Sequence, residues 1–409
     1  MNFDQKHQHR RTSKSIRFER EDRSPIANKE IIISQKSHKF LFGSGAFDAI
    51  PLVNGEFQGE QKEAMELLFD KWLALFNAGT LPFYWGRFEE VKGSPLTVPT
   101  MKAAEWLKSK GVILKGHPLC WHTVCAPWLL DMSNEEILRA QIDRIHRDVT
   151  DFKGTIDMWD VINEVVIMPI FDKYDNGVTR ICKDVGRIRL VREVFEATKA
   201  TNPNAILLLN DFNTSDSYAN LIEVCLEAGI PIDVIGIQSH QHQGYWGLEK
   251  TEQVLERFSR FGLPIHFTEN TLISGDLMPP EIEDLNDFQV QDWPSTPKGE
   301  ERQAKEVVEL YDTLFSHPLV EAITTWSAVD GKWLNAPAGL IRKDISSKPA
   351  YDELLRLVKK EWWTNTKVVT DENGYAEVSG FMGDYEAILG NVKVEFKLDQ
   401  KVQPANIIL

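Results

Sequence analysis

IDMWDVINE (residues 156–164) and LPIHFTE (263–269) decide how this chain is read. Each is a run of β-prone residues that ends on a glutamate, Glu164 in one and Glu269 in the other. Similar short β-branched or aromatic runs recur as FLFGSGA (40–46), LPFYW (81–85), GVILKGH (111–117), AILLLND (205–211), DVIGIQSH (233–240) and EAITTWSAVD (321–330). Amphipathic helical patterns lie between them, at 60–77, 100–110, 134–152, 186–200, 217–228, 249–261, 299–315 and 348–362. Ser133 stands where an N-cap is needed, and Gly111, Gly229 and Gly262 follow helix ends.

Eight strands, each followed by a helix, over roughly 320 residues make the arithmetic of a (β/α)8 barrel. The fold class is therefore α/β, a (β/α)8 TIM barrel over residues 39–363. A doubly wound sheet is the runner-up, but FGSGAF (42–47) lacks the third glycine of a phosphate turn. Two strand-to-helix connections are long, 165–185 and 270–298, and long loops in compact domains are commonly functional or mobile. Residues 1–14 read as a disordered polar tail. SIRFER and KEIIISQK read as two strands about a turn near 25–28. After Trp363 the text turns to short strands joined by DENG and other turn signals. This tail is too small to fold alone, so a hairpin at 15–38 and the segment 364–409 are expected to form one small β-module from both termini.

The 409 residues carry 61 acidic and 46 basic side chains, a net charge of −15. That disfavours nucleic acid or an anionic membrane surface as partner and leaves a neutral ligand unaffected. Cys120, Cys125, Cys182 and Cys225 form neither a metal-type doublet nor a dense disulfide scaffold. The N-terminal stretch has no apolar core of a signal peptide, so a cytoplasmic location is expected, or secretion if a leader has been removed. Trp72, Trp106 and Trp159 sit in patterns that place them in the core.

Chemistry in such a barrel gathers where the C-terminal ends of the strands meet. Reading those ends in order collects His117, Trp121 and His122, then Asn163 and Glu164, then Asn210 and Asp211. Gln238, His240 and His242 follow, then Glu269, and finally Trp326 and Trp333. Two carboxylates ringed by neutral donors and by aromatic faces suit a polyhydroxylated neutral substrate, a neutral oligo- or polysaccharide.

At these residues the chain resembles glycoside hydrolase family 10, the endo-β-1,4-xylanase family. The matching stretches are GHPLCWH (116–122), WDVINE (159–164), LLNDFN (208–213), IGIQSHQH (235–242), FTE (267–269), TTWSAVDGKW (324–333) and KPAYDELL (348–355). The resemblance runs from about Phe40 to Glu361. It implies a retaining hydrolase of β-1,4-xylosidic bonds in xylan or xylo-oligosaccharides, with Glu164 as acid/base and Glu269 as nucleophile. It also implies that Asn163 bonds the sugar 2-OH, that His117, Trp121 and Gln238 line the subsite at the cleaved bond, that His240 bonds the nucleophile, and that Trp326 and Trp333 wall the sugar. No cofactor is implied. Four histidines near strand ends raise the thought of zinc, but the resemblance accounts for His117 and His240 without one. Retention calls for carboxyl groups about 5–5.5 Å apart.

Two places depart from the family pattern. At LPFYWGRFEE (81–90) the usual Asn and Lys before the tryptophan are absent, and Phe83, Tyr84 or Arg87 would have to replace them. After Glu269 come Asn270 and Thr271, where the family usually has an apolar residue and then Asp. A hydroxyl can orient His240 but supports a charged imidazole less than a carboxylate does. A same-fold hydrolase for another β-glycan, and a non-catalytic carbohydrate-binding relic, remain open alternatives.

Overall fold

The computed structural model describes residues 6–404 and 406–409. Eight strands close into a parallel barrel: β3 (Leu41–Gly45), β4 (Ala78–Pro82), β5 (Ile113–His117), β6 (Met158–Asn163), β7 (Ile206–Asp211), β8 (Val234–Gln241), β9 (Ile265–Leu272) and β10 (Val320–Thr325). They follow one another around the rim in chain order, and β10 returns to pair with β3. The (β/α)8 fold expected from the alternation is the fold observed. The strands are largely buried, one face by barrel interior and one by helix, and their polar residues gather toward the C-terminal ends, as in IHFTENTL and VIGIQSHQ. Met158, Leu208 and Val234 pack as a small apolar floor inside the barrel. Above it lies a buried ion pair, Lys115 Nζ to Asp160 Oδ2 at 2.6 Å.

The helix ends obey their local signals. Ser133 and Glu136 form a reciprocal capping box, with Glu136 N donating to Ser133 Oγ and Ser133 N donating to Glu136 Oε2. Gly111, Gly229 and Gly262 all have positive φ just past helix ends. Trp72 and Trp159 are fully buried, and Trp106 packs half-buried on the core. No helix among the described residues is long and apolar enough to cross a membrane.

The terminal segments differ in detail from expectation. β1 (Arg11–Glu19) and β2 (Glu30–His38) are strands, but they do not pair as a hairpin. β1 lies between β12 (Tyr375–Phe381) and β15 (Ile407–Ile408). β2 lies between β11 (Asn365–Val369) and β13 (Gly383–Leu389), and β14 (Val392–Leu398) completes that second sheet. The reason is alternation: Ile16 and Phe18 of β1 and Ile31 and Ile33 of β2 all point into one core with Val378, Tyr385 and Leu398. Two strands that each need to bury a face against the other stack better than they pair.

The disordered tail expected over 1–14 is also corrected from residue 6 onward; residues 1–5 lie outside the described residues. β1 already begins at Arg11, and Arg10 donates to the carbonyls of Phe315, His317 and Val320 while its guanidinium covers the Phe40 ring at 4.7 Å. A polar sequence is ordered here because one guanidinium satisfies three carbonyls on the underside of the barrel. The long connection 165–185 contains a helix, Gly177–Val185, capped by Asn176, whose Oδ1 accepts from Thr179 N at 2.7 Å. Asp175, Asn176 and Gly177 thus open a helix, with Asn176 as its N-cap.

Candidate active site

The C-terminal rim brings together all nine residues singled out as site residues. Register puts Asn163 beside Asn210 on β6 and β7, and Gln238 beside Glu269 on β8 and β9. The pairing shifts by one residue within both couples, between Asp160 and Ile162 and between Ile237 and Gln238. Such bulges re-aim side chains at a rim. Glu164 follows β6 with φ of 57°, in the left-handed region, and its N–H donates to Asn210 O at 2.8 Å. Holding a non-glycine residue there costs free energy, so the surrounding contacts must over-determine it.

A chain of amides joins the two glutamates. Asn210 Nδ2 donates to Glu269 Oε1 at 2.9 Å and to Asn163 Oδ1 at 2.7 Å. Gln238 Nε2 donates to the same Asn163 oxygen at 3.0 Å and to Glu164 Oε1 at 3.1 Å. Asn163 Nδ2 donates to Glu164 Oε1 at 3.2 Å, and Thr268 Oγ1 donates to Asn210 Oδ1 at 2.6 Å. Gly236 is required beside it: a Cβ there would lie 2.5 Å from Asn210 Oδ1. The other Glu164 oxygen accepts from Trp121 Nε1 at 2.8 Å.

The two carboxyls have opposite electrostatics. Burial, then the nearby charge of Glu269, pushes Glu164 up from 4.5 to about 8, although the Trp121 hydrogen bond works the other way. Burial also pushes Glu269 upward, but the charge of His117 and the hydrogen bond from His240 outweigh it and hold Glu269 below the ordinary carboxylate range. His240 Nε2 lies 3.1 Å from Glu269 Oε2, and His117 Nε2 lies 4.0 Å from Oε1. His117 is oriented through Nδ1, 2.7 Å from Asp160 Oδ2. At neutral pH the site therefore holds one protonated and one ionised carboxyl, the pairing that separates an acid from a nucleophile.

Aromatic rings wall the other half of the rim. Phe47, Tyr84, Trp121, His117 and Trp326 form a closed circuit with successive centroids 6.0, 5.5, 6.3, 5.2 and 5.8 Å apart. Trp333 lies 4.5 Å from the His240 ring. Of the three side chains at the first departure, Phe83 is buried against Phe88, Phe152 and Trp159, and Arg87 is exposed over the outer face of Tyr84. Tyr84 alone enters the site. Burial, then the charge of Glu269, pushes its phenol well above its ordinary value. Trp85 is core, beneath the Arg144 guanidinium. Thr271 Oγ1 lies 3.4 Å from His240 Nδ1 and 3.2 Å from His242 Nδ1, so it bridges two histidines rather than serving one.

In the sequence Asn210 stands at a strand end without a role, and Thr268, Phe47 and the Lys115–Asp160 pair carry no signal of their own. Asn210 could have been found as the only amide at the end of β7. The circuit of rings has no spacing signature, because its members come from four separate strand ends. Among the described residues no group of three or more His, Cys, Asp or Glu side chains is placed to hold a metal ion.

A parallel eight-stranded barrel with paired glutamates at the ends of its fourth and seventh strands defines a class, the barrel glycoside hydrolases. The model of Glycosyl hydrolase family 10 matches residues 85–357, and the chain belongs to that family. Endo-1,4-beta-xylanase B of Thermotoga neapolitana is 33% identical over 182 residues, which cover 42% of this chain and 50% of that protein. Endo-1,4-beta-xylanase A of Xylanibacter ruminicola is 27% identical over 279 residues, covering 59% of this chain and 72% of that one. The match to the T. neapolitana protein thus spans about half of that relative's length. Native xylanase 10B of Thermotoga maritima has the same fold, with a TM-score of 0.62 at 24% identity over 79% of this chain and 96% of that one.

Proposed function

We propose that the protein is a retaining glycoside hydrolase that cleaves β-1,4-xylosidic bonds in xylan or xylo-oligosaccharides. The observation that carries this is the pair of buried glutamates at two strand ends, joined through Asn210, Asn163 and Gln238, with His240 on Glu269 and Trp121 on Glu164; their surroundings push Glu164 up and hold Glu269 down. The names of the similar proteins, endo-1,4-beta-xylanases, support xylan as the polymer.

In the first step Glu269, ionised and gripped by Asn210 and His240, attacks the anomeric carbon. Glu164 gives its proton to the departing glycosidic oxygen. A glycosyl ester on Glu269 results. In the second step Glu164, now ionised and accepting from Trp121 and Gln238, takes a proton from water, which attacks the same carbon and releases the sugar with its configuration retained. Asn163, which donates to Glu164 Oε1 and accepts from Asn210, takes the sugar 2-OH, the role that the family resemblance implies for it. His117, Trp121 and Gln238 line the cleavage subsite, and Trp326 and Trp333 provide the apolar faces on which sugar rings lie.

A second reading, a same-fold hydrolase for another β-glycan, is favoured by one observation: Tyr84 rather than a cation enters the site from the end of β4. A panel of β-xylo- and β-gluco-oligosaccharides, followed by NMR of the first-formed anomer, separates the readings. The expected outcome is β-anomer release from xylo-oligosaccharides, with kcat reduced by at least about 10⁴-fold in Glu269→Gln. Equal binding of sugar by wild type and Glu269→Gln with no turnover in either would establish a binding protein instead.

A further inference from the structure

The loop that leaves β9 bears on which substrates can reach the carboxyls. The barrel order places β7 and β8 between β6, which delivers Glu164, and β9, which delivers Glu269. Residues 275–295 form an Ω-shaped loop with a pinched neck. Thr296 N donates to Ser274 O at 2.8 Å, and the hydroxyls of Ser274 and Ser295 are 2.7 Å apart. The loop is built around an apolar cluster shared with the loop after β10: Met278 and Trp293 are buried with Ala336 and Ala338, and Ile282, Leu285, Phe288 and Val290 pack on them. It is thus a built element rather than slack chain.

Several bonds fix its course, among them one from the loop after β10, where Asn335 Nδ2 donates to Gln291 O at 2.7 Å. Trp293 Nε1 donates to Asp276 O at 2.8 Å inside the loop. Past β8, Met278 N donates to His242 O, and Gln243 Nε2 donates to Pro279 O and Ile282 O at 3.0 and 2.7 Å. Further on, Asp284 and Asp287 both reach Lys173 Nζ, at 2.6 and 2.7 Å, in the loop that follows Glu164. The loop of β9 therefore touches the loops of β8 and β6 as well as that of β10. Among the described residues, no hydrogen bond joins it to residues 212–215 after β7. Phe212, directly after β7, keeps 45% of its surface exposed.

We propose, building on the functional reading above, that residues 275–295 and Lys173 form an arch across the β7–β8 end of the cleft, which makes the protein selective for short oligosaccharides and chain ends over the interior of a long polymer. A polymer laid across an open cleft enters sideways, whereas one under an arch must be threaded. The clasp itself is an exposed ion pair, which salt screens and which is worth a factor of roughly two to five. Removing it should open the arch by about that factor.

The test compares kcat/KM on xylotetraose with kcat/KM on soluble xylan, for wild type, Lys173→Ala, and the swapped triple variant Lys173→Asp/Asp284→Lys/Asp287→Lys. The expected result is a rise in the polymer-to-oligosaccharide ratio of roughly two- to fivefold in Lys173→Ala. The swapped variant should return to the wild-type ratio, and about 1 M salt should raise the ratio in wild type but not in Lys173→Ala. An unchanged ratio in Lys173→Ala, with wild type active on xylotetraose, overturns the arch while leaving the functional reading intact. Absence of activity on either substrate in wild type overturns the functional reading, and the inference with it.

Discussion

The two halves of the candidate cleft are held together by different forces. On the β6–β8 side, Asn163, Asn210 and Gln238 join the glutamates by hydrogen bonds of 2.7–3.2 Å, each with a donor and an acceptor in set directions. On the β3–β5 and β10 side, five rings touch one another and only Trp121 donates to a glutamate. Directional bonds tolerate little change, because a buried amide left without its partner costs about 1–3 kcal/mol. Ring contacts are softer, and a ring of similar size can replace another at modest cost. The amide half should therefore set whether chemistry happens, and the aromatic half should set which sugar is held.

The largest effect expected from this contrast is at Asn210. It donates to Glu269, braces Asn163 and accepts from Thr268, so Asn210→Ala removes three bonds. By the scale of a lost transition-state donor, kcat should fall by about 10²–10³-fold. Glu269 also loses a donor that favours its ionised form, so its pKa rises and the acid limb of the pH–rate profile moves to higher pH. A drop in KM-controlled binding with kcat intact would show that the amides position substrate rather than the carboxyls.

Trp121 is the one point where the aromatic half touches the acid/base group. In wild type the profile should be a bell, with activity lost on the basic side near pH 8 as Glu164 gives up its proton. The indole N–H favours ionised Glu164, so Trp121→Phe should move that basic limb to higher pH and leave the acid limb, which belongs to Glu269, in place. Movement of both limbs would mean that the halves are not separable.

How far each part was legible follows the same division. The barrel, the two glutamates and the amides at strand ends could be read because strand period and strand end place them directly: Asn163 precedes Glu164, and Gln238 ends an apolar run. Tyr84 could not be distinguished from Phe83 or Arg87, since one residue of register decides which side chain enters the cleft and which enters the core. The same limit misread β1 and β2 as a hairpin. Neighbourhood in sequence suggested pairing, while the inner faces of Ile16, Phe18, Ile31 and Ile33 required stacking. Arg10 was unreadable for a further reason. Its value lies in three carbonyls more than 300 positions away.

The smallest effect is expected at Tyr84, and it tests the softer half most directly. Its ring belongs to the wall, 5.7 Å from His117 and 5.5 Å from Trp121, while its hydroxyl has no hydrogen-bond partner among the described residues. A hydroxyl that feels the charges of Glu269 and Glu164 but has no protein partner among the described residues is free to bond a sugar hydroxyl. Tyr84→Phe keeps the ring contacts and deletes only that bond. One neutral hydrogen bond contributes about 0.5–1.5 kcal/mol, so KM for a xylo-oligosaccharide should rise by roughly two- to tenfold. The deletion leaves no protein group unsatisfied, so kcat and thermal stability should hold. Tyr84→Ala opens the wall itself and should lower stability as well as binding, by the cost of a truncated aromatic of about 3 kcal/mol or somewhat less at a partly exposed site. If Tyr84→Phe instead matches wild type in KM while Tyr84→Ala does not, the phenol is a wall and nothing more. Sugar selection would then rest on Trp326 and Trp333, and the two halves would differ in flexibility but not in specificity.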